Sequence, residues 1–268
     1  MQEPIITLLT DFGERDPYVG AIKGVILSIC PQAKIIDLSH DIEKHNIYEG
    51  ALFLYSMIKY FPKHTIHLVV IDPGVGSKRK SLILQTDNYF LVGPDNGVLS
   101  LAPINDKIQK VFEITNSTYF LQPVSDTFHG RDIFAPVAAH LANNRAPEKF
   151  GPLIEDWIRI EIPKPRINTA EIHGEIIHID KFGNLITNIP RDIVQKRDGL
   201  QPKYIQIKIR DRELEILLCS SYTQVGIGEF LAIFGSTNFL EISKNQENAA
   251  DALNIKVQEK VSVKRPFT

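Results

Sequence analysis

Two loops carry residues able to activate a nucleophile. The run Val69-Val70-Ile71 ends on Asp72-Pro73-Gly74, and Arg79 follows seven positions after Asp72. An apolar run tipped with Asp-Pro-Gly reads as a buried strand that delivers a carboxylate into a tight loop, and such a carboxylate is tolerated when something nearby pairs with it. Ligands of open α/β sheets collect at the C-terminal ends of strands. The second loop, Asp126-Thr127-Phe128-His129-Gly130-Arg131-Asp132, leads into the helix-like run Ile133 to Leu141. A histidine beside glycine just before a helix is placed to serve as acid, base or hydrogen-bond donor. The bland alternatives are a turn aspartate at 72 and a helix-capping Asp132 with His129 bonded to backbone.

The elements that must position these loops alternate. Ile5 to Thr10 is β-rich and ends in Asp11-Phe12-Gly13, Pro17 to Cys30 is helix-like, Ile35 to His40 is the next strand, and Ile47 to Phe61 the next helix. His67 to Ile71, Ser81 to Thr86 and Tyr89 to Val92 follow as strands, and the alternation predicts an α/β domain with a central, mostly parallel sheet. At Ile162-Pro163-Lys164-Pro165-Arg166 two prolines disfavour regular structure. Beyond them, Glu171 to Asp180, Tyr204 to Arg210, Glu213 to Cys219, Phe230 to Phe234 and Lys256 to Val263 are short β-type runs, which predicts an all-β barrel domain. The expected organisation is therefore residues 1–162, a linker at 163–170, and residues 171–268.

Composition narrows the classes. With 268 residues and 43% hydrophobic content the chain reads as globular, and a net charge of −2 lacks the electrostatic footprint of a general nucleic-acid binder. No apolar run approaches the ~20 residues of a membrane span, Met1 to Pro4 has no basic leader, and the two distant cysteines suggest neither a disulfide framework nor a thiolate metal site, so a soluble cytoplasmic protein is expected. His173 and His178 lie five apart in a β-type run, where alternation sends them to opposite faces, and His40 between Asp37 and Asp41 fits a strand-end turn. Neither a metal nor a cofactor is expected. The glycine-rich signatures of dinucleotide and triphosphate sites are missing.

Six ordered blocks spanning nearly the whole chain resemble the S-adenosylmethionine hydroxide adenosyltransferases, relatives of the fluorinases and chlorinases. They are Thr10-Asp11-Phe12-Gly13 with Asp16, Tyr18-Val19-Gly20 and Lys23-Gly24; Ile36 to His40; Asp72 to Gly76; Gly93 to Gly97; Thr127 to Asp132; and Asp180 to Asn188. The resemblance implies hydrolysis of S-adenosyl-L-methionine to adenosine and L-methionine, and a homotrimer whose sites lie between one subunit's first domain and its neighbour's second. Carried over, the water-activating set falls on Asp72, Arg79 and His129. Asp11 corresponds to the ribose-binding carboxylate, Phe182 and Asn184 to the adenine pocket, and Asp180 to the acid at the amino-acid end of the ligand. Phe128, Tyr222, Ser236 and Ala249 correspond to further binding positions. Halogenating relatives carry Tyr at position 72, fluorinases place Ser at Gly130 and Trp at His45, and they add a loop that the Ser81 to Gly97 segment lacks. The alternatives are a halide-dependent adenosyltransferase, against which Asp72 argues, and a non-catalytic binder of S-adenosylmethionine or adenosine.

Overall fold

The computed structural model describes residues 3–102, 106–194 and 203–264. The chain divides into two compact units, Met1–Glu161 and Ile162–Thr268.

The first unit contains β1 (Ile5–Thr10), α1 (Tyr18–Ile29), β2 (Lys34–Ser39), α2 (Ile47–Met57), β3 (Ile66–Val70), β4 (Ser81–Thr86), β5 (Phe90–Pro94), β6 (Ile108–Glu113) and α3 (Ala135–Ala142). Its sheet runs β2-β1-β3-β5-β4-β6. All five residues of β3 are buried, as expected of a central strand covered on both faces. Val19, Ile22 and Ile26 of α1 recur at helical spacing and are buried, and Asn46 caps α2 by accepting a hydrogen bond from the Glu49 amide. From β1 the chain moves to β2 on one side and then to β3 on the other, so the order reverses between β1 and β3. Thr10 pairs with Val70 in that parallel ladder, and Asp11 and Asp72 consequently leave the sheet from the same end, at its topological switch point.

The sheet is less parallel than strict alternation implies. β1 pairs in parallel with β2 and β3, and β3 with β5, whereas β4 pairs antiparallel with both β5 and β6. The short Asp87-Asn88 turn that joins β4 to β5 leaves no room for a crossover, so these two strands must run in opposite directions.

The second unit contains β7 (Arg166–Ile167), β8 (Glu171–Ile179), β9 (Leu185–Pro190), α4 (Arg191–Val194), β10 (Tyr204–Ile209), β11 (Arg212–Cys219), β12 (Phe230–Phe234), β13 (Phe239–Lys244), α5 (Ala249–Leu253) and β14 (Lys260–Lys264). Seven strands close into a barrel in the order β14-β10-β11-β12-β13-β9-β8, with β14 pairing back onto β8. Alternation fills it: Ile205, Ile207 and Ile209 of β10 point inward with Ile172, Ile176 and Leu185. β7 lies in the segment expected to be a linker and pairs with β8.

Candidate active site

Arg79 joins the two chemical loops of the first unit. Its Nε donates to Asp72 Oδ1 and Oδ2 at 2.9 and 3.0 Å, and its Nη2 donates to Asp72 Oδ2 at 2.5 Å. The same Nη2 reaches His129 Nδ1 at 2.9 Å. A guanidinium only donates, so His129 Nδ1 is the acceptor and the neutral ring carries its proton on Nε2. Burial first, and then the Arg79 cation, hold His129 below the usual histidine range, although Asp72, Asp132 and Asp126 pull the other way. The Asp72 and Arg79 side chains are 5% and 9% exposed, which strengthens this ion pair relative to a surface one.

Residues outside the expected catalytic and binding set hold the cluster in place. Arg79 Nη1 donates to Ser81 Oγ at 2.8 Å, and the Arg79 guanidinium lies 5.1 Å from the Phe134 ring centroid. Asn96, within the Gly93 to Gly97 block, donates from Nδ2 to the Ile71 carbonyl at 2.8 Å, and the Asp95 amide donates to the Lys80 carbonyl at 2.9 Å. That block therefore anchors both ends of the Asp72 to Arg79 loop. Gly76 has φ +77°, and a Cβ there would sit 2.4 Å from the Asp126 carbonyl oxygen, so only glycine lets the two loops approach this closely. His129 enters a π-helical turn, Gly130–Phe134, that continues into α3. Asp132 in this turn is fully buried, paired with Arg131 at 2.6 Å, and accepts the Ser125 amide at 2.8 Å, so it fastens the loop that carries His129.

Asp11 lies at the end of β1, where its Oδ2 accepts the His45 amide at 2.9 Å. Phe128 packs edge-on against Phe12 and Tyr18, with centroids 6.0 and 5.3 Å away, and so forms an aromatic wall beside Asp11. The first unit thus gathers Asp72, Arg79 and His129 directly, and brings Phe128 against the residue that follows Asp11.

In the second unit, Asp180, Phe182, Asn184 and Tyr222 line a single pocket of about 640 Å³, together with Asn245 and Asn248. Asp180 builds its rim: Oδ1 accepts the Phe182 and Asn184 amides, each at 2.9 Å, and Oδ2 accepts Asn184 Nδ2 at 2.8 Å. The result presents Phe182, 76% exposed, as a bare ring beside the buried Asn184 amide. Stacking and edge recognition of a flat heterocycle need that pairing. Ala249, the first residue of α5, is fully buried, so its methyl faces the interior, while Ser236 is exposed in the turn after β12. Sequence reasoning missed Glu241 on β13, which is buried and accepts the Tyr222 hydroxyl at 3.4 Å. A glutamate alternating with Leu240 and Ile242 on a strand reads by default as solvated, and no local pattern announces otherwise.

A mixed α/β unit with a buried Asp-Arg-His cluster at its switch point, followed by a closed barrel with an aromatic and amide pocket, defines a two-domain protein equipped for chemistry on a small heterocyclic ligand. Residues 6–151 match the SAM hydroxide adenosyltransferase N-terminal domain and residues 174–262 its C-terminal domain, and the chain belongs to this family. It is 40% identical to an (R)-S-adenosyl-L-methionine hydrolase of Methanocaldococcus jannaschii, over 97% of this chain and 95% of the relative. It is also 25% identical to a fluorinase of Nocardia brasiliensis, over 98% and 97% of the two chains. Among solved structures, a conserved protein of Thermotoga maritima superposes with a TM-score of 0.91 at 35% identity, over 96% of this chain and 99% of that one.

Proposed function

We propose that this chain hydrolyses S-adenosyl-L-methionine to adenosine and L-methionine. The observation that carries this reading is the single guanidinium of Arg79 bonded at once to Asp72 and His129. Methionine leaves from a sulfonium as a neutral thioether, so the leaving group needs no acid and the site has only to supply the nucleophile. Water, with a pKa of roughly 15.7, is a poor one until a fixed charge and a proton acceptor assist it. The water oxygen bonds to C5′, the C5′–S bond breaks with its electron pair going to sulfur, and the water proton passes to Asp72 and then to solvent. Because the His129 Nδ1 lone pair is committed to Arg79, we assign Asp72 as the acceptor and His129 Nε2–H as a donor that orients the water. A second, halide-using chemistry is disfavoured, since an anion entering beside the Asp72 carboxylate meets like charge.

In this reading Asp11 takes the ribose hydroxyls, Phe128 walls the sugar, Phe182 and Asn184 hold adenine, and Asp180 and Tyr222 face the amino-acid end. Ser236 is taken as a further binding position, and Ala249 as one that can offer only backbone, since its methyl is buried. The protein is taken to be a cytoplasmic homotrimer with sites shared between subunits, needing no metal or cofactor, and engaging neither nucleic acid nor membrane; no described helix is long and apolar enough to cross one. The test is incubation with each sulfonium epimer of S-adenosyl-L-methionine in EDTA, followed by chromatography for adenosine. Adenosine from the (R) epimer is expected, with a roughly hundredfold loss, ~2–3 kcal/mol, in Asp72→Asn. Undiminished turnover in Asp72→Asn defeats the mechanism.

A further inference from the structure

Glu241 is a buried acid that the proposed mechanism does not use. It lies on the outer face of the barrel, where its cross-strand neighbour is Ile233, in a small apolar cluster with Cys219 and Leu231. The charged and titratable groups facing it are Asp180, from the turn between β8 and β9, and Tyr222, from the short helical turn that follows β11. No described cation pairs with it. One carboxyl oxygen rests on the backbone of Gly235, where any Cβ would sit 1.5 Å away, and the other meets the Tyr222 hydroxyl. Glutamate is a costly filler for such a place, since leucine would serve an apolar cluster at no desolvation penalty. Both residues that face it line the pocket, and all three hydrogen bonds that the Asp180 carboxylate accepts come from its own loop.

Resting on the functional reading above, we propose that Glu241 is a positioning residue for the cationic amino-acid end of the substrate: it is a neutral acid tied to Tyr222 in the ligand-free protein, and it releases its proton to solvent when a cation docks beside Asp180 and Tyr222. Burial, and next the Asp180 charge, push the Glu241 carboxyl up to about 7, against the pull of the Tyr222 hydroxyl. An ammonium or sulfonium ~5 Å away, at an effective dielectric near 20, favours the carboxylate roughly hundredfold. Glu241 then holds Tyr222 and the Gly235 turn in register with the bound cation.

The experiment is titration calorimetry at pH 6.5 in two buffers of different ionisation enthalpy, using Asp72→Asn protein to hold back turnover. S-adenosyl-L-methionine is expected to release on the order of half a proton or more, and adenosine, which carries no cation, none. Asp72→Asn/Glu241→Gln should release none while binding adenosine as before. A measurement without any Glu241 variant stands behind this one: affinity for S-adenosyl-L-methionine should weaken roughly tenfold from pH 8 to pH 6, and affinity for adenosine should stay level. Equal proton release in the Glu241→Gln background, no release at all, or the same pH dependence for both ligands overturns the inference alone. Wild-type protein that neither binds nor hydrolyses S-adenosyl-L-methionine overturns the functional reading together with it.

Discussion

His129 has a protonation state set by its partner. Its Nδ1 accepts from Arg79, so adding a proton there breaks that contact and places two cations side by side. Since burial and Arg79 already hold the ring below the usual histidine range, turnover should be level from pH 7 upward and fall only below the ordinary pKa of about 6.5. A kcat profile against pH checks this, and an acid limb at or above pH 7 contradicts the assigned hydrogen bond. Of the cluster, Asp72 was legible from sequence because it ends an apolar run just before Pro73, and His129 because it sits beside Gly130 ahead of a helix-like run; Arg79, flanked by Lys78 and Lys80, was legible only as a possible partner for the Asp72 carboxylate and through the family resemblance. The tautomer was not legible, because it depends on which atom of Arg79 arrives, and that is settled by a contact spanning fifty positions.

Among the elements, the Gly93 to Gly97 turn shows how a segment with no chemistry of its own can govern chemistry. Asn96 fixes the carbonyl just before Asp72 and accepts the Val98 amide at 3.1 Å. Asn96→Ala should lower stability by about 1–2 kcal/mol and lower kcat roughly tenfold, leaving KM for S-adenosyl-L-methionine nearly unchanged, as urea unfolding and steady-state kinetics can show. A rise in KM without loss of kcat would instead place Asn96 on the ligand. The alternating helices and strands of the first unit were readable because amphipathic helices and buried strands differ in period, but β6, β9 and β13 were not picked out. β9 lies in a block read for its ligand residues, and β13 carries Glu241 and Ser243 where a half-buried strand would show solvated residues. β8 also has a register irregularity between Ile176 and His178, which breaks the alternation used to separate His173 from His178. Among the described residues, no group of three His, Cys, Asp or Glu that could hold a metal is found.

For the whole molecule, the proposed sharing of sites between subunits has a consequence that mixing can reveal. Asp72→Asn and Asn184→Ala are each expected to be inactive alone. After exchange into mixed trimers, roughly a quarter of the sites should combine an intact first domain with an intact second, and activity should return to about that level. No recovery from trimers shown to exchange, or a fully active monomer by sedimentation, refutes sharing. Stability depends on a different histidine. His67 is fully buried between Phe61 and Tyr89, with its Nδ1 2.8 Å from Thr7 Oγ1, and burial lowers it from 6.5 to about 3. Its folded pKa lies below its unfolded one, so the unfolded chain binds the extra proton; stability is complete above about pH 6.5 and falls toward pH 3 by up to about 1.4 kcal/mol per pH unit. His129 and His140 act in the same direction. Urea midpoints at pH 7 and pH 5 should therefore differ less in His67→Gln than in wild type, and an equal drop in both would remove His67 from this role.

The closure of the barrel also orders events in time. Its final strand, β14, pairs with β8, the first long strand of that unit, with Val261 opposite Gly174. These partners are roughly 90 residues apart, the kind of long-range pairing that forms slowly. During synthesis every helix and strand of the first unit is already complete when β8 emerges, so that unit is free to assemble while the barrel is still an open sheet with two unpaired edges. The barrel shuts only after β14 clears the ribosome, and until then the nascent chain carries a complete Asp72, Arg79 and His129 cluster ahead of a second unit that is still unclosed.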